Sequence, residues 1–299
     1  MKKVQINALN KNFTLPNYKL CDINNIKKCK KAIRKKLPKV ISPLPDNYPW
    51  KERKELHMKK TEEATYDIIN EHFKDKIVEE NLRLADFINH FHDIGRYLQG
   101  QRKLGILDDK YKDFGNHGEA GVNLLERWQV LDIFSEKVQE MIKYAIGNHS
   151  IKDTKPLPDQ PSDPDRFKFF YLIVARDMDK YDNLVRQIDQ YLHEGEGKER
   201  TFELFPQIKR KNGGTISPKI MNNFKNNKLI NTDNIRSYEE YILQMLAWVF
   251  DVNLQIVLEE IFKSGAVEKM LDYLEEEIDK KEYLQIQETV EKFSKSKNL

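Results

Sequence analysis

Only two cysteines, Cys21 and Cys29, occur in the 299 residues, eight apart in a lysine-rich segment with no matching pair elsewhere. That excludes a disulfide framework and a thiolate zinc site and leaves two free thiols. Long apolar runs are also missing. The longest, Phe169 to Ala175 in FKFFYLIVARD, falls well short of the ~20 residues that cross a bilayer, so it reads as a buried core segment. The opening stretch, MKKVQINALNKNF, lacks the apolar h-region of a secretory leader; a cytoplasmic location without a membrane partner is the expectation. Neither sign of charge dominates, since 51 basic side chains nearly balance 48 acidic ones for a net +3. No overall field demands nucleic acid, and any basic surface must be local.

What is present is helical periodicity. Apolar residues recur at three and four positions in Leu84, Phe87, Ile88 and Phe91; in Val122, Leu124, Leu125 and Trp128; and in Val138, Met141, Ile142 and Ala145. Strand signals and internal repeats are nearly absent, so the fold class is all-α, a helical bundle with a helical C-terminal tail. Hydrophobic residues at 39% suffice for a core and are too many for a disordered chain. Breaks fall at Gly95, Gly100, LGILDDKYKDFGN, the stretch from Thr154 to Asp165, and residues 195–215, which read as a polar loop. The expected organisation is a basic N-terminal extension over 1–45, a core over 46–195, and a helical extension over 196–299 packing on that core. In the first of these, NIKKCKKAIRKK is a short helix; a solvated face is the plainer reading and a phosphate-tracking patch the sharper one.

The seven histidines matter by placement. His57 starts an amphipathic helix, His92 and Asp93 end the next, His117 opens another and His149 closes a fourth. Helix ends can aim side chains into a shared cavity without disturbing the apolar stripe, as in bundle metal sites. A later segment, ARDMDKYD, carries Asp177, Asp179 and Asp182 directly after the apolar run, where desolvated carboxylates need cations nearby.

The order His57, His92-Asp93, His117, His149 and Asp179 resembles the HD-domain phosphohydrolase superfamily, and HDIG at 92–95 resembles the signature of its HDIG subgroup, over roughly residues 50 to 195. The resemblance implies a central metal site in an all-helical core. His57, His92, Asp93 and Asp179 would hold one ion, and Asp93 would bridge to a second held by His117 and His149. Imidazole and carboxylate donors without thiolate suit two divalent ions, iron or manganese first, with zinc, nickel or magnesium as alternatives. Two ions ~3.5–4 Å apart lower the pKa of a bridging water, and the hydroxide attacks phosphorus in line. Asp93, Arg96 and Lys180 would act catalytically, the two cations by contacting phosphate. The substrate implied is a small phosphorylated molecule, a nucleotide or cyclic dinucleotide, as ester or anhydride. Beyond the metals no cofactor is indicated, and a homo-oligomer stays open.

Plainer readings stand beside these. Some relatives use four ligands and one ion, in which case His117 and His149 would orient ligands or carry a proton. Asp177 competes with Asp179 for the last ligand position but points about 200° away around the helix. His72, His90 and His193 read as ordinary surface residues, and Glu119 as a helix N-terminal acid. Phe167, Phe169, Phe170, Tyr171, Trp128 and Trp248 read as core. Lys54 stands where triphosphohydrolase relatives tend to have arginine, and the GYP motif of a cyclic-dinucleotide phosphodiesterase branch is not evident. Two other functions keep the same residues: a mixed-valent di-iron oxygenase, as in myo-inositol oxygenase, and a non-catalytic nucleotide-binding regulatory domain.

Overall fold

The computed structural model describes residues 3–299 apart from 7, 9–11, 49, 152–156, 194 and 210–213. Two compact units emerge, Met1–Asp179 and Lys180–Leu299. The fold is all-α, with one small addition that the sequence pattern did not announce: an antiparallel hairpin of β1 (Lys3–Ile6) and β2 (Phe13–Pro16). Val4 faces Leu15 and Ile6 faces Phe13 across it, and all four are buried while Gln5 is exposed. That period-2 alternation makes one face of the ribbon core. Arg166 ties the hairpin down by donating to the carbonyl and hydroxyl oxygens of Thr14.

In the first unit the helices follow as α1 (Ile23–Lys36), α2 (Pro38–Ile41), α3 (Trp50–Ala64), α4 (Glu71–Phe73), α5 (Glu79–Phe91), α6 (Arg96–Lys103), α7 (His117–Arg127), α8 (Glu136–Asn148) and α9 (Asp163–Tyr181). The expected stripes of α5 and α8 are buried, whereas that of α7 is buried at Leu124 and Leu125 but only half-buried at Val122. Leu84, Phe87, Ile88 and Phe91 of α5 and Met141, Ile142 and Ala145 of α8 are wholly inside, each larger side chain contributing about 1.5–3 kcal/mol of burial. Phe167 and Phe170 to Ala175 of α9 are buried, whereas Phe169, Trp128 and Trp248 are half-buried. No helix among the described residues is long and apolar enough to cross a membrane. Of the expected loop over Thr154–Asp165, residues 154–156 lie outside the described residues, 157–162 carry no helix or strand, and Asp163 already begins α9.

The second unit contains α10 (Ile188–Leu192), α11 (Glu196–Leu204), α12 (Pro218–Lys225), α13 (Tyr238–Ala247), α14 (Gln255–Lys263), α15 (Ala266–Glu277) and α16 (Lys280–Ser296). Helix α13 is buried along its whole length, and its Glu240 accepts from the backbone N–H groups of Ser217 and Arg236, pinning two loops. Helix α11 corrects the reading of 195–215 as continuous loop. Its glycine serves packing: a Cβ on Gly197 would collide with the Gln190 carbonyl oxygen. Residues 210–213 lie outside the described residues.

Candidate metal centre

Four elements of the first unit deliver the histidines. His57 occupies the interior of α3, not its start. His92 caps the C-terminus of α5, His117 is the first residue of α7, and His149 caps the C-terminus of α8. Position at a helix end has a chemical consequence. The last carbonyls of a helix lack intrahelical partners, and Nδ1 of His92 lies 2.7 Å from the Asn89 oxygen, Nδ1 of His149 2.7 Å from the Ile146 oxygen. Each Nδ1–H donating to its carbonyl leaves Nε2 with a free lone pair aimed inward, the tautomer a metal ligand needs.

The Nε2 atoms and carboxylates converge as two groups sharing Asp93. His57, His92, Asp93 and Asp179 form one, and Asp93, His117 and His149 the other; in each, the donor atoms lie within 4.8 Å of one another and could hold a metal ion. In the first, His57 Nε2 is 3.1 Å from Asp179 Oδ1 and 3.3 Å from His92 Nε2. Oδ2 of Asp93 is 3.7 Å from His57 and 3.9 Å from His92, while its Oδ1 is 3.2 Å from His117 and 3.5 Å from His149. The two oxygens of one carboxylate therefore face two different imidazole pairs. Nitrogens 3.0 Å apart in His117 and His149 would repel through their lone pairs unless a proton or a cation stood between them. The donor set fits a divalent ion, being oxygen and imidazole nitrogen without sulfur.

Burial sharpens this. The Asp93 side chain is only 2% exposed, that of Asp179 29%. Burial by itself would raise the Asp93 carboxyl, but Lys54, Arg96 and the surrounding histidines outweigh it and hold it well below the usual carboxylate range. Asp179 is likewise held low against the effect of burial, by the hydrogen bond from His57 and the nearness of His92. Burial, aided by the Arg96 charge, pushes the His117 imidazole down to about 3, and burial lowers His149. Carboxylates ionised and imidazoles neutral are the ligand-competent forms.

Two glycines, Gly95 and Gly118, let the donor groups meet. A Cβ on Gly95 would overlap the His117 carbonyl oxygen and the Gly121 nitrogen, and one on Gly118 would lie 2.6 Å from the Ile146 oxygen and 2.7 Å from that of Gly147. Only a residue without a side chain lets the turn after Asp93 rest on the start of α7, and α7 on the end of α8.

The remaining sequence-singled residues fall as follows. The helix does not persist through HDIG: α5 stops at Phe91, residues 92–95 form a turn and α6 restarts at Arg96. The turn still brings Arg96 Nε to 3.3 Å from Asp93 Oδ1. Lys54, noticed only as a departure from arginine, puts its ammonium 2.6 Å from Asp93 Oδ2; one helical turn before His57, it shares that residue's face. Lys180, in the last turn of α9 and just past the boundary between the units, lies 3.0 Å from Asp251 Oδ2 and donates to the Asp251 carbonyl. Asp177 is fully buried and outside both donor groups. His72 and His193 are exposed, but His90 is not a surface residue: its side chain is 12% exposed and pairs with Glu62 at 2.6 Å. Glu119 accepts from the Gly115 N–H while Asn116 accepts from the Glu119 N–H, a reciprocal cap on α7.

Residues 55–192 match the family described as HD domain, an all-helical fold whose members are generally metal-dependent phosphohydrolases, and this segment contains both donor groups. The match supports the HD superfamily for this part of the chain and suggests a metal-dependent hydrolase. No curated protein and no solved structure matches the chain.

Proposed function

We propose that the chain is a metal-dependent phosphohydrolase of the HDIG subgroup, hydrolysing an ester or anhydride of a small phosphorylated substrate, with nucleotides and cyclic dinucleotides as the favoured class. The observation that carries this reading is the division of Asp93, one oxygen toward His57 and His92 and the other toward His117 and His149. In this reading His57, His92, Asp93 and Asp179 hold one divalent ion, and Asp93, His117 and His149 a second, with iron or manganese the favoured metals. When bound, such a pair supplies Lewis acidity to phosphoryl oxygens and lowers the pKa of a water.

The chain's own residues do the rest. Asp93 and Asp179 supply negative charge that offsets the ions, and the carbonyls of Asn89 and Ile146 fix the rings of His92 and His149. Arg96, 27% exposed, and Lys54, 18% exposed, are the cations nearest the bridging carboxylate, and each orients a phosphate oxygen, Arg96 as a planar fork and Lys54 as a point charge.

The test is a screen of nucleotides, cyclic dinucleotides and sugar phosphates against manganese-loaded, iron-loaded and metal-stripped protein under nitrogen. Metal-dependent hydrolysis without oxygen, read as released phosphate or pyrophosphate or as a linearised dinucleotide, is expected, lost in His92→Ala and Asp93→Ala while far-ultraviolet circular dichroism is unchanged. Turnover that requires oxygen would instead indicate a di-iron oxygenase, and failure to retain any divalent ion a non-catalytic domain.

A further inference from the structure

The metal centre leaves one charged feature of the first unit without a task. Residues 1–45 carry 12 of the 51 basic and one of the 48 acidic side chains, so this segment is charged +11 and the rest of the chain −8. Near-neutrality overall conceals a strong separation of charge, which points to a polyanionic partner.

Helix α1 organises that charge. Its apolar side, Ile26, Cys29 and Ile33, is buried, with the Cys29 thiol donating to the Val130 carbonyl. Lys30 pairs with Glu62 and Lys36 donates to the Trp128 carbonyl. From residue 27 onward every exposed position of the helix is basic: Lys27, Lys28, Lys31, Arg34 and Lys35, with Lys39 following in α2. None of these six forms an ion pair among the described residues. At 100° per residue the five on α1 fall in a sector of about 120°, and over the eight steps from Lys27 to Lys35 they occupy about 12 Å, roughly one cation every 3 Å.

We propose that this face of α1 binds the phosphate backbone of double-helical nucleic acid without reading its sequence. A duplex presents one phosphate about every 3.4 Å of axis along each strand, a charge density high enough for flexible Lys and Arg side chains on one face of this length to meet several phosphates at once. Helix α1 itself carries no aromatic residue on which single-stranded bases would stack. It also has no apolar group to insert into a lipid headgroup layer, because the apolar side of α1 is committed to the core. The inference is independent of the metal centre, whose residues it does not use.

The experiment measures binding of the full chain to a DNA or RNA duplex of about 20 base pairs across a salt series; with four or five phosphates neutralised, log K should fall against log salt with a slope near −4. A combined Lys27→Glu, Lys31→Glu, Arg34→Glu and Lys35→Glu variant is expected to lose at least tenfold in affinity and most of that slope, with circular dichroism and metal content unchanged. The same four positions changed to Gln guard against an effect of the introduced acids, and should lose affinity likewise. Three results overturn the proposal: no duplex binding at low salt, undiminished binding in the Gln variant, or binding confined to single strands or to phosphatidylserine vesicles.

Discussion

At the scale of single residues, Asp93 carries the most consequence because it is the one donor shared by the two groups. Removing a shared ligand and removing a terminal one must therefore differ in metal stoichiometry. Asp93→Asn keeps shape and volume but removes the negative charge and replaces one of the two carboxylate oxygens by an amide NH2 that cannot ligate, so the loaded protein is expected to fall from two ions toward none by elemental analysis. His117→Ala affects the group in which Asp93 has only two imidazole partners, and is expected to retain one ion. Equal loss in both variants would contradict the shared-carboxylate arrangement. Lys54→Met is the complementary case: it removes an ammonium 2.6 Å from Asp93 Oδ2, and a cation no longer competing for that oxygen should let a divalent ion bind more tightly, by about tenfold if the pair is worth ~1.4 kcal/mol. Isothermal titration with manganese reads the change, and weaker binding in Lys54→Met would show that the lysine supports the site instead of opposing the ion.

At the scale of elements, the same substitution at three glycines separates a packing requirement from simple helix propensity. Gly95→Ala and Gly118→Ala place a Cβ against backbone atoms that cannot swing aside, and overpacking of this kind costs about 1–3 kcal/mol. Gly147→Ala places its Cβ 3.5 Å from Val122 Cγ2, an ordinary contact, inside α8, where alanine outperforms glycine by up to about 1 kcal/mol. Urea unfolding should show the first two destabilised, with metal retention impaired, and the third neutral or stabilised. What the sequence made legible follows the same division. The donor set was readable because His57, His92-Asp93, His117, His149 and Asp179 stand in the order of a known family, although His57 lies inside α3 and not at its start, and the core stripes because their period is helical. The hairpin was not, since four-residue strands such as KVQI carry too few alternations to register. Helix α11 was hidden because Gly195 and Gly197 look like loop punctuation although Gly197 permits contact with Gln190. Nor could spacing show that Lys180 meets Asp251, 71 residues away, or that His90 would be tucked against Glu62.

At the scale of the whole molecule, the buried centre makes stability depend on pH with a definite sign. His117 titrates near 3 in the folded state against about 6.5 when unfolded, and His149 is lowered in the same direction by its burial. Between those values the unfolded chain binds more protons than the folded one, so stability rises with pH through this window and is lost as pH falls. Asp93 and Asp179, both held below the ordinary carboxylate value, contribute stability present above about pH 4 and lost below it. All four groups act in one direction. The metal-free protein should therefore show a thermal midpoint that declines steadily from pH 7 to pH 4, and His117→Ala should flatten the upper part of that decline. Divalent ions bind only the deprotonated ligands, so manganese at a hundred times its dissociation constant should add about 2.7 kcal/mol at pH 7 and progressively less on acidification. Differential scanning calorimetry with and without the ion measures both effects. A midpoint that rises as the solution is acidified, or a metal increment unchanged by pH, would mean that these imidazoles are not held neutral within the fold.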